Sequence, residues 1–259
     1  MASISTYVRD YGNKTFFEEP FNEIDNVVFS SLIYLNYEGI VPENRKYIRL
    51  EEAGIKYLEK YSYFEISKLG IAQKVSYQLL KRVVNTVRYK DVLMYNFKYI
   101  ADSDRQFGAV CFKVKKNFTY VAFEGTDNLL SGWKEDFELS YKFPVPAQTL
   151  AIEYINKRVR FYDKNVMVGG HSKGGNLALV SSMFAKKLVN KKIKKIYSND
   201  GPGLRKAEIE SDNYKRVRDR LIHIVPNYSY IGVLLRNDKF KVIKSTRRDF
   251  MAHSVSTWQ

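Results

Sequence analysis

The stretch VMVGGHSKGGNLALV, residues 166–180, limits what this chain can fold into more than any other. An apolar run ends in two glycines, Ser172 follows Gly170 by two positions, and Gly174 follows Ser172 by two more. The run predicts a buried strand over 165–169, and the residues from 174 to 190 predict a helix. A strand joined to a helix through Gly170-His171-Ser172-Lys173-Gly174 matches the G-x-S-x-G pattern of a nucleophile elbow. Such a turn puts the serine at its tip in strained dihedrals, so that the hydroxyl clears the sheet. A side chain two positions before or after would collide with the neighbouring strand or helix, which accounts for glycine at both places. The Lys173 amide then points from the helix N-terminus into the site, where it can bind an oxyanion. The competing reading is a glycine-rich β–α turn that binds phosphate or nothing. Neither G-x-G-x-x-G nor Gly-Lys-Ser/Thr is present to support it.

The flanking pattern gives the elbow its context. Residues 22–100 read as helical, beginning with Ile24, Val27, Val28, Ser31, Leu32 and Leu35 on one face. Gly39 and Pro42 end that helix. LEEAGIKYLEKYSYF (50–64) and VSYQLLKRVVNTVRY (75–89) predict two further amphipathic helices. From residue 107 the pattern changes. FGAVCFKV, a polar turn at 115–117 and FTYVAFEG predict a β-hairpin. Strands over 165–169, 193–200, 221–227 and 240–245 then alternate with helices over 147–162 and 174–190. That alternation predicts an α/β fold with a mostly parallel central sheet flanked by helices. The mainly helical region 1–100 reads as a cap on the sheet-forming core 107–259, the two making one domain over 1–259.

Composition removes several function classes. Cys111 is the only cysteine, so no intrachain disulfide forms and multi-cysteine zinc sites are excluded. His171, His223 and His253 lie far apart without carboxylates at ligand spacing, so no metal and no cofactor is expected. The N-terminus has no apolar signal core, and no apolar run approaches the ~18 residues of a membrane span. A soluble, cytoplasmic protein is the expectation. The net charge of +15 concentrates in KKLVNKKIKK (186–195), KRVRDR (215–220) and Arg247–Arg248. It reads either as solvated helix faces or as a surface for anionic lipid or another polyanion. Nucleic acid is not expected, because no binding motif accompanies the charge.

The segment VGGHSKGGNLAL closely resembles the elbow of the Mbeg1-like proteins, relatives of the class 3 lipases within the α/β-hydrolase fold. The likeness continues through FNEIDNVVFSSLIYLNYEGIVP (21–42), VAFEGTDNLLSGWKEDF (121–137), SNDGPGL (198–204), IVPNYSYIGVLL (224–235) and VIKSTRRDFMAHSVSTWQ (242–259). By that resemblance Ser172 is the nucleophile and His253 the general base, while Thr126 joins the Lys173 amide as oxyanion donor. His171 reads as a packing residue and His223 as part of a strand. The acid is open. Asp200 ends a strand after the elbow, where this fold usually carries it. Class 3 lipases place an aspartate just before Ile-Val-Pro, and here that position is His223. A Ser–His dyad and Asp249 stay as alternatives to Asp200.

Two further features bear on chemistry. Glu124 stands where the resemblance implies a basic residue, and a carboxylate aimed at a developing oxyanion opposes catalysis. Asp136 reads as a structural residue orienting the Thr126 loop. Leu129, Trp133 and Phe137 recur at intervals of four in the region that forms a lid in class 3 lipases, and core packing explains the same spacing. The resemblance implies a serine hydrolase acting on a lipid or small acyl ester, with peripheral contact to an anionic membrane as a further expectation. The rival is a catalytically inactive hydrolase-fold protein that binds an anionic surface through its basic faces.

Overall fold

The computed structural model describes residues 3–102, 105–126 and 138–259. Among the described residues eight strands form one sheet in sequence order: β1 (Ile48–Arg49), β2 (Leu93–Ala101), β3 (Gln106–Lys115), β4 (Phe118–Phe123), β5 (Asn165–His171), β6 (Ile193–Asn199), β7 (Leu221–Pro226) and β8 (Lys241–Ile243). The expected hairpin is β3–β4, antiparallel with Val110 opposite Ala122. From β4 onward every pairing is parallel, with Phe123 beside Gly170 and His171 beside Asn199. Right-handed crossovers are the rule for such units, and they bring the C-terminal ends of β5 and β6 together, where the elbow and Asp200 lie.

The inner strands are apolar on both faces, which is why they read as continuous apolar runs rather than alternations. On one face Val110, Phe112, Tyr120 and Ala122 pack with Phe29, Leu32 and Tyr89. On the other, Ala109, Cys111, Val121 and Phe123 pack with Ala151, Ile155, Leu177 and Val180. The first face is covered by α1 (Ile4–Tyr11), α2 (Glu23–Leu32), α3 (Leu50–Lys60), α4 (Tyr63–Ser67) and α5 (Ile71–Val83). The second is covered by α6 (Pro146–Arg158) and α7 (Lys173–Met183). This is an α/β fold with a mostly parallel sheet flanked by helices on both faces.

Boundaries differ from expectation at several places, and three of them have a local reason. Helix does not extend to residue 100, because 93–101 form β2; a register shift between Tyr95 and Lys98, with Asn96 at φ 55°, breaks the period-2 signal there. Helix α7 stops at Met183 rather than 190. Asn190 Nδ2 donates to Ser182 O and the Lys186 N–H to Asn156 Oδ1, so side chains satisfy the broken turn. Helix α6 ends at Arg158, where Val159 turns extended.

The helical layer is fixed by a buried ion pair. Asp25 on α2 accepts from Arg88 Nε at 2.7 Å and Nη2 at 2.6 Å, from the Tyr89 hydroxyl at 2.6 Å and from the Asn22 N–H at 3.0 Å. Both charged side chains are fully buried. Arg88 also donates to the carbonyl of Glu19. Arg88→Met should therefore destabilise the fold by about 3–5 kcal/mol, since it strands a charge in the interior. The double change Asp25→Asn with Arg88→Met should recover much of that loss. Denaturant midpoints at neutral pH measure both, and a loss below about 1 kcal/mol in the single variant would mean that the pair is solvated.

Candidate active site

The elbow is a strained turn held from both sides. Ser172 has φ 56° and ψ −134°, a backbone region that costs an L-residue about 1–3 kcal/mol. Its N–H donates to Asn199 O and its carbonyl accepts from the Gly175 N–H, both at 2.9 Å. The glycines are required by close approach: a Cβ on Gly170 would meet the Gly174 carbonyl carbon at 2.3 Å, and one on Gly174 would meet Phe123 O at 2.2 Å.

Asp200 follows β6 without solvent exposure and in the left-handed region, at φ 51°. Aspartate tolerates that region better than most residues. Its Oδ1 accepts from the Ser229 hydroxyl and, at 3.1 Å, from the Gly232 N–H. Its Oδ2 lies 2.7 Å from His253 Nδ1. A carboxylate there fixes the proton on Nδ1 and leaves Nε2 as the basic nitrogen. Asp249 is placed differently: it is exposed, pairs with Arg247 and caps the short helix Phe250–His253 through the Met251 N–H. Arg247 holds the Asp249 carboxyl below its usual range.

Ser172, His253 and Thr126 line one cleft of about 380 Å³. Among the described residues no hydrogen bond joins Ser172 Oγ to His253; such contacts are often loose before substrate binds. Glu124 lines a neighbouring cavity instead of this cleft, with its carboxylate lying over the bare Cα of Gly108. The Lys173 side chain is buried, and its ammonium donates to Gln106 Oε1 at 2.8 Å. Gln106 Nε2 in turn donates to Gly125 O, tying the elbow to the segment that carries Thr126. Leu129, Trp133, Asp136 and Phe137 lie outside the described residues.

His171 does more than fill space. Its Nε2 lies 2.9 Å from His253 O and its Nδ1 2.9 Å from the Tyr34 hydroxyl. A donating Nε2–H requires a bare Nδ1, which accepts from Tyr34. Burial, reinforced by nearby His253, pushes the His171 pKa well down, so the ring is neutral. The His253 segment is further clasped by Trp258, whose Nε1 donates to Ala252 O, and by the bridge between Ser245 and Trp258. His223 sits in β7 and contacts Gly201 O. Sequence reasoning missed Ser229, Gly232, Tyr34 and Gln106. The Ser-Tyr-Ile-Gly run at 229–232, a turn pattern after a strand, was the one signal available.

Some of the basic residues have local work. Lys192 donates to Phe161 O and Asp163 O, and Arg220 to Asn190 O and Ile193 O. Among the described residues no helix is long and apolar enough to cross a membrane, and no group of His, Cys, Asp and Glu is placed to hold a metal ion.

A family model described as Mbeg1-like matches residues 83–259, more than half of the chain. No match is found among the curated proteins. Among solved structures, the crystal structure of M37 lipase aligns with a TM-score of 0.45 and 12% identity, covering 82% of this chain and 69% of that one.

The buried imidazoles predict a pH dependence of stability. Burial holds both His171 and His223 below the ordinary value of 6.5. As pH falls, the unfolded chain takes up these protons first, so their contribution is full above about pH 6.5 and is lost progressively below it. Denaturant midpoints should fall between about pH 7.5 and about pH 5.5, and the slope should lessen in His171→Gln. An unchanged slope would place the titration elsewhere.

Proposed function

The chain belongs to the Mbeg1-like family, and on that premise we propose that it is a serine hydrolase cleaving an acyl ester through Ser172, His253 and Asp200. The observation that carries this reading is the 2.7 Å contact between His253 Nδ1 and buried Asp200, in a cleft shared with a serine on a strained elbow. A residue that only packs gains nothing from positive φ at the mouth of a cleft.

The chemistry follows from the geometry. Ser172 Oγ attacks the ester carbonyl while His253 Nε2 takes its proton. Negative charge develops on the carbonyl oxygen, facing the Lys173 amide at the start of α7 and Thr126 across the cleft. Collapse of the tetrahedral species expels the alcohol, which receives the proton from His253 and leaves an acyl-serine. Water then attacks, its proton passing to His253, and Ser172 is regenerated with release of the carboxylic acid. Asp200 keeps the imidazole in its working tautomer and stabilises the transient imidazolium. Its other oxygen accepts from the Ser229 hydroxyl and the Gly232 N–H. A lipid or small acyl ester fits the cleft, and the exposed basic residues suit peripheral contact with an anionic membrane.

Fluorophosphonate labelling followed by intact mass tests the assignment. A single adduct on the native chain, absent in Ser172→Ala, is the expected result. A folded protein that takes no adduct would overturn it, and binding to anionic vesicles would become the measurement of interest. Once an ester is turned over, Asp200→Asn should lower kcat by about three to four orders of magnitude with little change in KM. A comparable fall in Asp249→Asn would shift the role of the acid.

A further inference from the structure

The serine cleft opens at the C-terminal ends of β5 and β6, and the opposite end of the same strands carries a dense basic surface. Residues 157–164 and 186–195 hold ten cations against one acid, Asp163, which pairs with Arg45 at 2.8 Å. The two stretches are stitched into one face. The Lys186 N–H donates to Asn156 Oδ1, and the Lys192 ammonium to Phe161 O at 2.6 Å and Asp163 O at 2.7 Å. The Val166 N–H then donates to Lys192 O, where β5 and β6 begin. Lys186, Lys187, Lys191, Lys194 and Lys195 are exposed on one stretch, and Lys157, Arg160 and Lys164 on the other. Among the described residues none of them forms an ion pair. A helix dipole accounts for Lys157, in the last turn of α6, and leaves the rest unexplained.

Two apolar side chains stand among these cations. Phe161 is 87% exposed and Leu188, on the short helix Lys187–Asn190, is 74% exposed. Phe161 touches Tyr162 edge-on, and the Tyr162 ring is itself engaged by the Arg45 guanidinium. Single exposed apolar residues are ordinary. Two on adjoining turns inside a basic field match a surface that offers anions and hydrocarbon together, as an anionic bilayer does. Nucleic acid offers phosphate without hydrocarbon, and a leucine has no ring to stack on a base. The cleft end is the competing surface, with Tyr230, Val233 and Leu234 exposed. Its charge is more dilute: six cations and two acids lie between residues 228 and 249, and Lys241 and Arg247 are paired with Glu23 and Asp249.

We propose that the end formed by residues 157–164 and 186–195 docks on an anionic lipid bilayer, with Phe161 and Leu188 entering the headgroup layer. The docking is independent of the serine-hydrolase reading; its consequence for the substrate rests on that reading. The length of β5, seven residues, puts the elbow about 20 Å from the docked end. The cleft then faces the water. Its ester arrives from solution and is a soluble one rather than a lipid of the same bilayer.

Co-sedimentation with vesicles tests the docking, using phosphatidylcholine alone and phosphatidylcholine with about one third phosphatidylserine. The native chain should bind the anionic vesicles, more weakly as salt rises, and leave the neutral ones. Lys187→Ala with Lys191→Ala should weaken binding by about twentyfold, and Lys244→Ala with Arg248→Ala, at the cleft end, by about twofold or less. Phe161→Ser with Leu188→Ser should weaken it by about tenfold while binding to heparin stays as it was. No binding to anionic vesicles, equal losses from the two charge pairs, or no loss from the apolar pair overturns the proposal. Fluorophosphonate labelling then reports the orientation. Ser172 on the docked protein should react at its rate in solution, and protection by anionic vesicles would overturn the outward-facing cleft. Vesicle binding with the expected variant pattern but no adduct, free or docked, supports the docking while the hydrolase reading falls.

Discussion

The site depends on a pair of amides facing each other beneath the sheet. Asn26 Nδ2 donates to Asn199 Oδ1 at 2.8 Å, and Asn199 Nδ2 returns a bond to Asn26 Oδ1 at 3.1 Å. Asn199 Nδ2 also reaches Ser30 Oγ and Gly170 O, while the Tyr120 hydroxyl donates to Asn26 Oδ1 at 2.6 Å. Every partner is fully buried or nearly so, where a satisfied network rigidifies and an unsatisfied one is costly. Asn199 precedes Asp200, its carbonyl accepts from Ser172, and Gly170 opens the elbow. One side-chain contact thus holds α2, the end of β6 and the serine turn at fixed separations. A Cβ at Gly169 would reach Tyr120 Oη at 2.0 Å and Asn26 Oδ1 at 2.8 Å, so the network explains the first glycine of the pair as the elbow explains the second.

Four of the buried charges are handled in three ways. Asp25 and Arg88 neutralise each other and take extra hydrogen bonds from tyrosine and asparagine. Asp200 receives a hydroxyl, a backbone amide and an imidazole, so its charge is shared among donors that lie on separate segments. Lys173 donates to Gln106, a neutral acceptor that passes the tie on to Gly125. The first arrangement fixes helices, while the other two fix groups that surround the cleft. Neutral His171 completes the set: it holds the His253 segment through a backbone carbonyl without adding positive charge beside it.

What the residues disclosed in advance follows their range in sequence. The elbow was legible because its strand, turn and helix are contiguous, and the hairpin β3–β4 because a three-residue polar turn separates two apolar runs. Asp200 was reachable through fold logic, since a strand end after the elbow is where an acid belongs. The bonds that aim it were not, because Ser229 and Gly232 meet it across 29 and 32 positions. Strand β2 was hidden by the bulge at Asn96, which puts successive side chains out of phase. Glu124 was visible as an anomaly, but only the bare Cα of Gly108 shows where its carboxylate goes.

The origin of the two halves of the proposed catalytic apparatus also orders them in time. Ser172 is shaped by residues within a few positions of itself and by neighbouring strands. His253 arrives on a short turn that is secured by contacts to His171 and Trp258 and to a carboxylate 53 positions away. Long-range closures are slow and form late relative to local ones, and the clasp around Trp258 is small beside the core. The sheet and helices can therefore be complete while the base is still undocked. In such a chain the docking of a few C-terminal turns, which sets His253 beside Asp200, can follow the folding that spectroscopy reports.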